Sequence, residues 1–208
     1  MTLYQSCVNA EKQHLKNLLE KKDLHNGKIV IIGKSSLALA QELKSIPEGS
    51  IFITEEETEN TPTNTITAIK NIEAIPAQEK YEGIILLDSL SKVSHPREYL
   101  DRCYNLLKEE GFMLISVPNI KHPYWKDNNQ KVTVSDHFRW KAHFDVNSLV
   151  IEKDFTMGVA ENASFMQSFS QLMQYKSKMF FSGNLKRYYL LRKSKDGCRR
   201  NPDFVKHN

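Results

Sequence analysis

Five short apolar runs, separated by helical or polar stretches, constrain this chain more than any other feature. The first, KIVIIG at residues 28–33, is unbroken and β-branched, as in a strand buried on both faces of a parallel sheet. GSIFITEEE (49–57), NTITAIKNIEAIP (64–76), YEGIILLDSL (81–90) and FMLISVPN (112–119) supply four more. Between them, SSLALAQELKSI (35–46) and PREYLDRCYNLLKEEG (96–111) have helical spacing. Ser35 or Ser36 suits an N-cap of the first helix. In the second, Pro96 sits near N1, Leu100, Cys103, Leu106 and Leu107 form an apolar stripe, and Gly111 is expected to end the helix. Strands alternating with helices across short connections imply an α/β domain: a mostly parallel central sheet with helices on both faces. Ligands in such sheets bind beyond the carboxyl ends of the strands. Those ends are Gly33 to Leu37, Thr54 to Glu57, Lys70 to Glu73, Asp88 to His95 and Val117 to His122.

The flanking regions are less regular. EKQHLKNLLEKK (11–22) places Leu15, Leu18 and Leu19 on one face of a short helix, able to cap the domain or to form a protein or homodimer contact. Residues 123–162 read as a lid or an irregular connection, within which HFRWKAHF (137–144) suits a half-buried aromatic cover for a sheet edge. Phe165, Phe169, Leu172 and Met173 recur at helical spacing and are expected in the core. NLKRYYLLRKS (184–194) reads as a closing strand whose flanking cations guard an exposed edge. The expected organisation is an N-terminal helical extension (1–26), an α/β domain (27–194) and a flexible basic tail (195–208).

Composition narrows the function classes. A length of 208 residues suits one domain. The formal net charge of +4 comes from 29 basic and 25 acidic residues, with much of the excess in KRYYLLRKSKDGCRR, too local to argue for nucleic acid as the main partner. Cys7, Cys103 and Cys198 are scattered and form no CxxC pair, so no disulfide framework or zinc knuckle is expected. The first residues lack an apolar signal core and no window approaches the ~20 apolar residues of a membrane span, so a soluble, cytoplasmic protein is expected.

The order of these pieces, above all YEGIILLDSLSKVSHPREYLDRCYNLLKEEGFMLISVPNIKH (81–122), resembles the class I S-adenosylmethionine-dependent methyltransferases, most closely their small-molecule branch. The matching pieces are Ile84 to Asp88, Pro96 to Leu100, Leu107 to Gly111 and Pro118 to His122, and the likeness spans about residues 27–122. It implies a Rossmann-like methyltransferase fold. It also implies S-adenosylmethionine as cofactor and S-adenosylhomocysteine as product. The family's first strand ends in an acid and a GxGxG turn; here those positions hold Ile31, then Gly33, Ser35 and Leu37. The resemblance assigns Glu55 to the ribose hydroxyls and Asn71 to the adenine amine. Ile72 becomes a wall for the ring, and Asp88, Ser89 and Leu90 the lining on the fourth-strand side. An EH pair common in relatives is replaced by Ser91 and Lys92.

Methyl transfer to a hydroxyl needs a base, and His122 and His137 are the candidates, with His143 beside them and Asp136 placed to orient His137. His95, before Pro96, suits a helix flank. Tyr124, Trp125, Phe138 and Trp140 could clamp a flat or sugar-like acceptor or serve as core. No spacing supports a metal site among His122, Asp136, His137, His143 and Asp145. Three readings stay open: a methyltransferase acting on a small molecule or glycan precursor, a catalytically inactive partner or regulatory subunit of that fold, and a Rossmann-like binder of a nucleotide or nucleotide sugar.

Overall fold

The computed structural model describes residues 2–22, 27–43, 46–53, 66–69, 71–122, 137–161, 163–177 and 184–194. Seven strands form one sheet: β1 (Ile29–Ile32), β2 (Ser50–Ile53), β3 (Ile66–Ile69), β4 (Tyr81–Leu86), β5 (Leu107–Pro118), β6 (Leu149–Met157) and β7 (Lys186–Lys193), in the order β3-β2-β1-β4-β5-β7-β6. The first five are mutually parallel and β7 is antiparallel to both neighbours. The order reverses between β1 and β4, which makes their carboxyl ends the switch point where ligands enter such sheets.

The apolar runs are explained by two-sided burial. Along β1, Val30 and Ile32 face one core cluster while Ile29 and Ile31 face the other. Ile84 and Leu86 against Ile85 and Leu87, and Met113 and Ile115 against Phe112 and Leu114, repeat the division. On the first face α3 (Pro96–Leu106) contributes Leu100, Cys103 and Leu106, and α4 (His137–Val146) contributes Trp140 and Phe144. The second face is covered by α1 (Leu3–Leu19) and α2 (Lys34–Ala40), with α5 (Phe165–Ser177) packed against α1.

Several expectations are corrected. The N-terminal helix is longer than its leucine cluster suggests, because Thr2 caps it by accepting from the Gln5 N–H. Its Leu15, Leu18 and Leu19 are buried in the chain's own second cluster, so that face is not presented to a partner. The second predicted helix stops at Leu106. Leu107 turns extended (ψ 140°) to pair with Tyr81, and residues 108–111 bulge before Phe112 rejoins opposite Gly83, with Glu110 at φ +64°. Gly111 therefore lies in β5 and caps no helix. The supposedly irregular 123–162 region contains α4 and β6; residues 123–136 and 162 lie outside the described residues, as do 195–208.

HFRWKAHF is a helix that covers one face of the sheet near that edge, with Trp140 and Phe144 buried and Phe138 exposed. β7 is not an edge strand: it lies between β5 and β6, and its cations are engaged inside the fold. Arg187 forks onto Asp154, Arg192 pairs with Glu110, and the Lys193 ammonium donates to the Leu107 carbonyl. The stripe expected in the core also departs from expectation. Phe165 is 70% exposed and Met173 47%, with Phe165 stacked on Phe169, because α5 turns Ser168, Gln171 and Gln174 inward.

Candidate functional site

The site grows from two turns that meet at the switch point. After β1 the chain turns at Gly33, which itself caps α2 in place of Ser35 or Ser36. Its φ of +84° is a conformation that favours glycine, and a Cβ there would lie 2.3 Å from Ser89 Oγ. After β4 the chain turns at Asp88, whose φ of +57° is unusual for a residue with a side chain. The two turns are tied together. Ser36 Oγ accepts from the Leu87 N–H at 2.7 Å, and Ser35 Oγ donates to Asp88 Oδ2 at 2.9 Å. From β5, Ser116 Oγ accepts from the Asp88 N–H at 2.9 Å and donates to Asp88 Oδ1 at 3.1 Å.

The remaining partner of Asp88 comes from far along the chain. Because β7 runs antiparallel to β5, its first residue, Lys186, stands opposite Pro118, at the carboxyl end of the parallel strands. The Lys186 ammonium reaches Asp88 Oδ2 at 2.7 Å. Burial alone would raise the Asp88 pKa, but the Lys186 charge and the hydrogen bonds from Lys186, Ser35 and Ser116 outweigh it and hold the carboxyl below its ordinary value. Burial likewise opposes the charge on Lys186, and Asp88 and Glu11 together overcome it and raise the ammonium's pKa.

Two cavities flank this knot. One, of about 120 Å³, is lined by Gly33, Lys34, Ser35, Asp88, Ser89 and Lys92, with Ile53, Val93 and Tyr99 among its apolar walls. The other, of about 380 Å³, lies between α1, α2 and the start of β7. Ser35, Leu87 and Asp88 line both.

Of the residues the sequence singles out for the cofactor, Gly33, Ser35, Asp88 and Ser89 line the smaller cavity together. Ile72 and Leu90 do not line the cavity: they are 1% and 0% exposed within the first core cluster. Asn71 caps the short 3₁₀ helix Ile72–Ala74 by accepting from the Glu73 N–H at 3.3 Å. Glu55, Asp136, Tyr124 and Trp125 lie outside the described residues. His122 and His137 line neither cavity. Burial depresses the His122 pKa. His137 Nδ1 is 2.9 Å from the Tyr189 hydroxyl, its Nε2 3.7 Å from Asp154, and its ring stacks on Tyr189. Among the described residues no cluster of three or more His, Cys, Asp or Glu could hold a metal, and no helix is long and apolar enough to cross a membrane. Sequence reasoning missed Lys186 and Glu11, whose only signals were a basic run and a charge on an amphipathic helix.

Solved structures with this arrangement settle the fold. A chain from the complex between the Haloferax volcanii Trm112 methyltransferase activator and a proposed methyltransferase superposes with a TM-score of 0.63 at 12% identity, over 93% of this chain and 98% of that one. A proposed S-adenosylmethionine-dependent methyltransferase from Listeria monocytogenes gives 0.63 at 11% identity, over 90% and 100%. The fold is that of the class I S-adenosylmethionine-dependent methyltransferases. The [4+2]-cyclase SpnF also matches, with a TM-score of 0.61 at 11% identity over 89% of this chain and 82% of that one, so one methyltransferase-like scaffold carries more than one chemistry. No family model matches the sequence, and no curated protein does.

The close approach of the Gly33 and Ser89 turns gives a direct test of this geometry. Gly33→Ala forces a Cβ into the +84° conformation and against Ser89 Oγ, and is expected to cost roughly 1–3 kcal/mol in denaturant unfolding. A midpoint equal to that of the parent would show that the turn does not hold this conformation.

Proposed function

We propose that the chain binds S-adenosylmethionine at the smaller cavity and methylates an acceptor, a small molecule or glycan precursor, held in the larger one. The observation that carries this reading is the sharing of Ser35, Leu87 and Asp88 by both cavities, so that the two spaces adjoin at the switch point. Gly33 lets the β1 and β4 turns approach each other beside the first cavity, and Asp88 and Ser89 are among its polar lining. The volume of about 120 Å³ lies below the range of roughly 300–1,000 Å³ usual for small-molecule sites, so a full nucleoside cofactor requires its walls to open. Asp88 lines both spaces, and its ion pair with Lys186 lies on the side of the larger one.

In this reading Glu55 accepts the ribose hydroxyls, and Asn71, whose Oδ1 accepts from the Glu73 N–H and which does not line the cavity, must turn from that cap to accept the adenine amine. The cofactor supplies an electrophilic methyl carbon. The chain positions the acceptor and excludes water from it, and His122 and His137, which line neither cavity, have no part in this reading.

S-adenosylhomocysteine at a hundred times its Kd should stabilise the folded state by about 2.7 kcal/mol, a Tm rise of roughly 5–10 °C for a chain of this size. No shift at millimolar ligand would remove the reading.

A second reading, a methyltransferase-fold partner without turnover, is favoured by the apolar face of α5, where Phe165, Met166, Phe169 and Met173 are exposed. The Haloferax volcanii methyltransferase of similar fold is in complex with an activator protein, which supports a protein partner for this chain. This reading predicts no response to S-adenosylhomocysteine and a stable complex with another protein on sizing.

A further inference from the structure

The larger cavity has a chemical bias of its own. Its walls are mainly apolar, from Val8, Leu15, Leu39 and Leu87, with Tyr4 and Tyr188 adding aromatic surface. Its charged lining is three carboxylates, Glu11, Asp88 and Glu161, against two ammoniums, Lys12 and Lys186. Lys186 is committed to Asp88 at 2.7 Å, and Asp88 also takes hydrogen bonds from Ser35 and Ser116. Glu11 is treated differently. Its Oε1 accepts from the Tyr188 hydroxyl, and its Oε2 faces Gly158, where a Cβ would stand only 3.3 Å away. Gly158, at φ +89°, keeps that side of the carboxyl clear of a side chain.

Burial pushes the Glu11 pKa up, and the Lys186 charge and the Tyr188 hydroxyl offset only part of that rise. Glu11 thus shares the Lys186 charge with Asp88, and the described lining holds one carboxylate more than it holds ammoniums.

We propose that this cavity binds a small amine as its ammonium form, with Glu11 as the counter-charge and Tyr4 and Tyr188 as aromatic walls. A cation supplies the positive charge that the lining lacks, and tyrosine faces attract ammonium groups at contact distance. Tyr188 positions the Glu11 carboxylate. The volume of about 380 Å³ fits an amine carrying a ring or a short chain, within the usual range for small-ligand sites. The inference deepens the reading above, on which the amine's role as methyl acceptor rests; binding itself does not depend on it.

The test is calorimetric titration at pH 8 of the whole chain with 2-phenylethylamine, its neutral counterpart 2-phenylethanol and the anion 3-phenylpropionate. The amine is expected to bind at least tenfold more tightly than the alcohol, and the anion not to bind. In Glu11→Gln the amine's advantage should vanish while the alcohol's affinity is unchanged. In Tyr188→Phe, which keeps the charge, the preference should survive. Equal affinity for amine and alcohol overturns the proposal, as does a preference that persists in Glu11→Gln or an absence of amine binding. Titration with S-adenosylhomocysteine on the same sample separates the two ideas. Amine binding without it leaves this site and removes the methyltransferase reading, and the reverse outcome removes only the amine.

Discussion

Trp140→Ala is expected to lower stability by roughly 3–5 kcal/mol, the largest single effect in this fold. Trp140 is 1% exposed in the first core cluster, stacked near Phe144 with an interplanar angle of 19°, and Phe144 in turn meets Tyr189 edge-on at 5.0 Å. Truncation empties the centre of the layer that α4 lays over β6 and β7. Trp140→Phe should cost far less, because the indole N–H is buried without a hydrogen-bond partner among the described residues and its removal forfeits no bond. Urea unfolding followed at two probes checks both variants. A Trp140→Ala loss below about 1 kcal/mol would mean that α4 does not pack on the sheet in solution.

The second large effect is expected at the centre of the site. Lys186→Met leaves Asp88 and Glu11 without their shared cation and should cost about 2 kcal/mol. The figure is below that for a fully buried pair, because the Asp88 and Lys186 side chains remain 31% and 25% exposed. A double-mutant cycle with Asp88→Asn should show coupling of about 1–2 kcal/mol, and additive losses would mean that the pair contributes nothing.

The pH dependence has a defined sign. The Asp88 pKa is depressed in the folded state, so its contribution to stability is present above the ordinary carboxyl value of 3.8 and lost as pH falls through the lower folded value. Lys186→Met removes the charge that depresses the folded value, so this loss of stability in acid should be smaller than in the parent.

The parts of this structure legible in the sequence are those where burial on both sides writes unbroken apolar runs. β1, β4 and the second half of β5 are such cases, and with them came the switch point and its Gly33 and Asp88 turns. The end of α3 was hidden because Lys108, Glu109 and Glu110 are good helix formers, and only the pairing of Leu107 with Tyr81 pulls the chain out of the helix. β6 was hidden for the opposite reason: it is an edge strand whose middle, Glu152, Lys153 and Asp154, is exposed and reads as loop. The α5 pattern has helical period but the wrong sense, since period alone does not say which face a neighbour covers. Lys186 and Glu11 could not be found, because their meaning depends on β7 entering the sheet antiparallel and on α1 folding back over it.

That late insertion has a consequence for how the protein matures. Lys186 follows Asp88 by 98 positions, and the strand that carries it fills the gap between β5 and β6. During synthesis the five parallel strands are made before the lysine that serves as the counter-ion of Asp88. Asp88 therefore gains its counter-ion in one late step, when β7 enters the sheet, and a partly made chain exposes an open sheet margin.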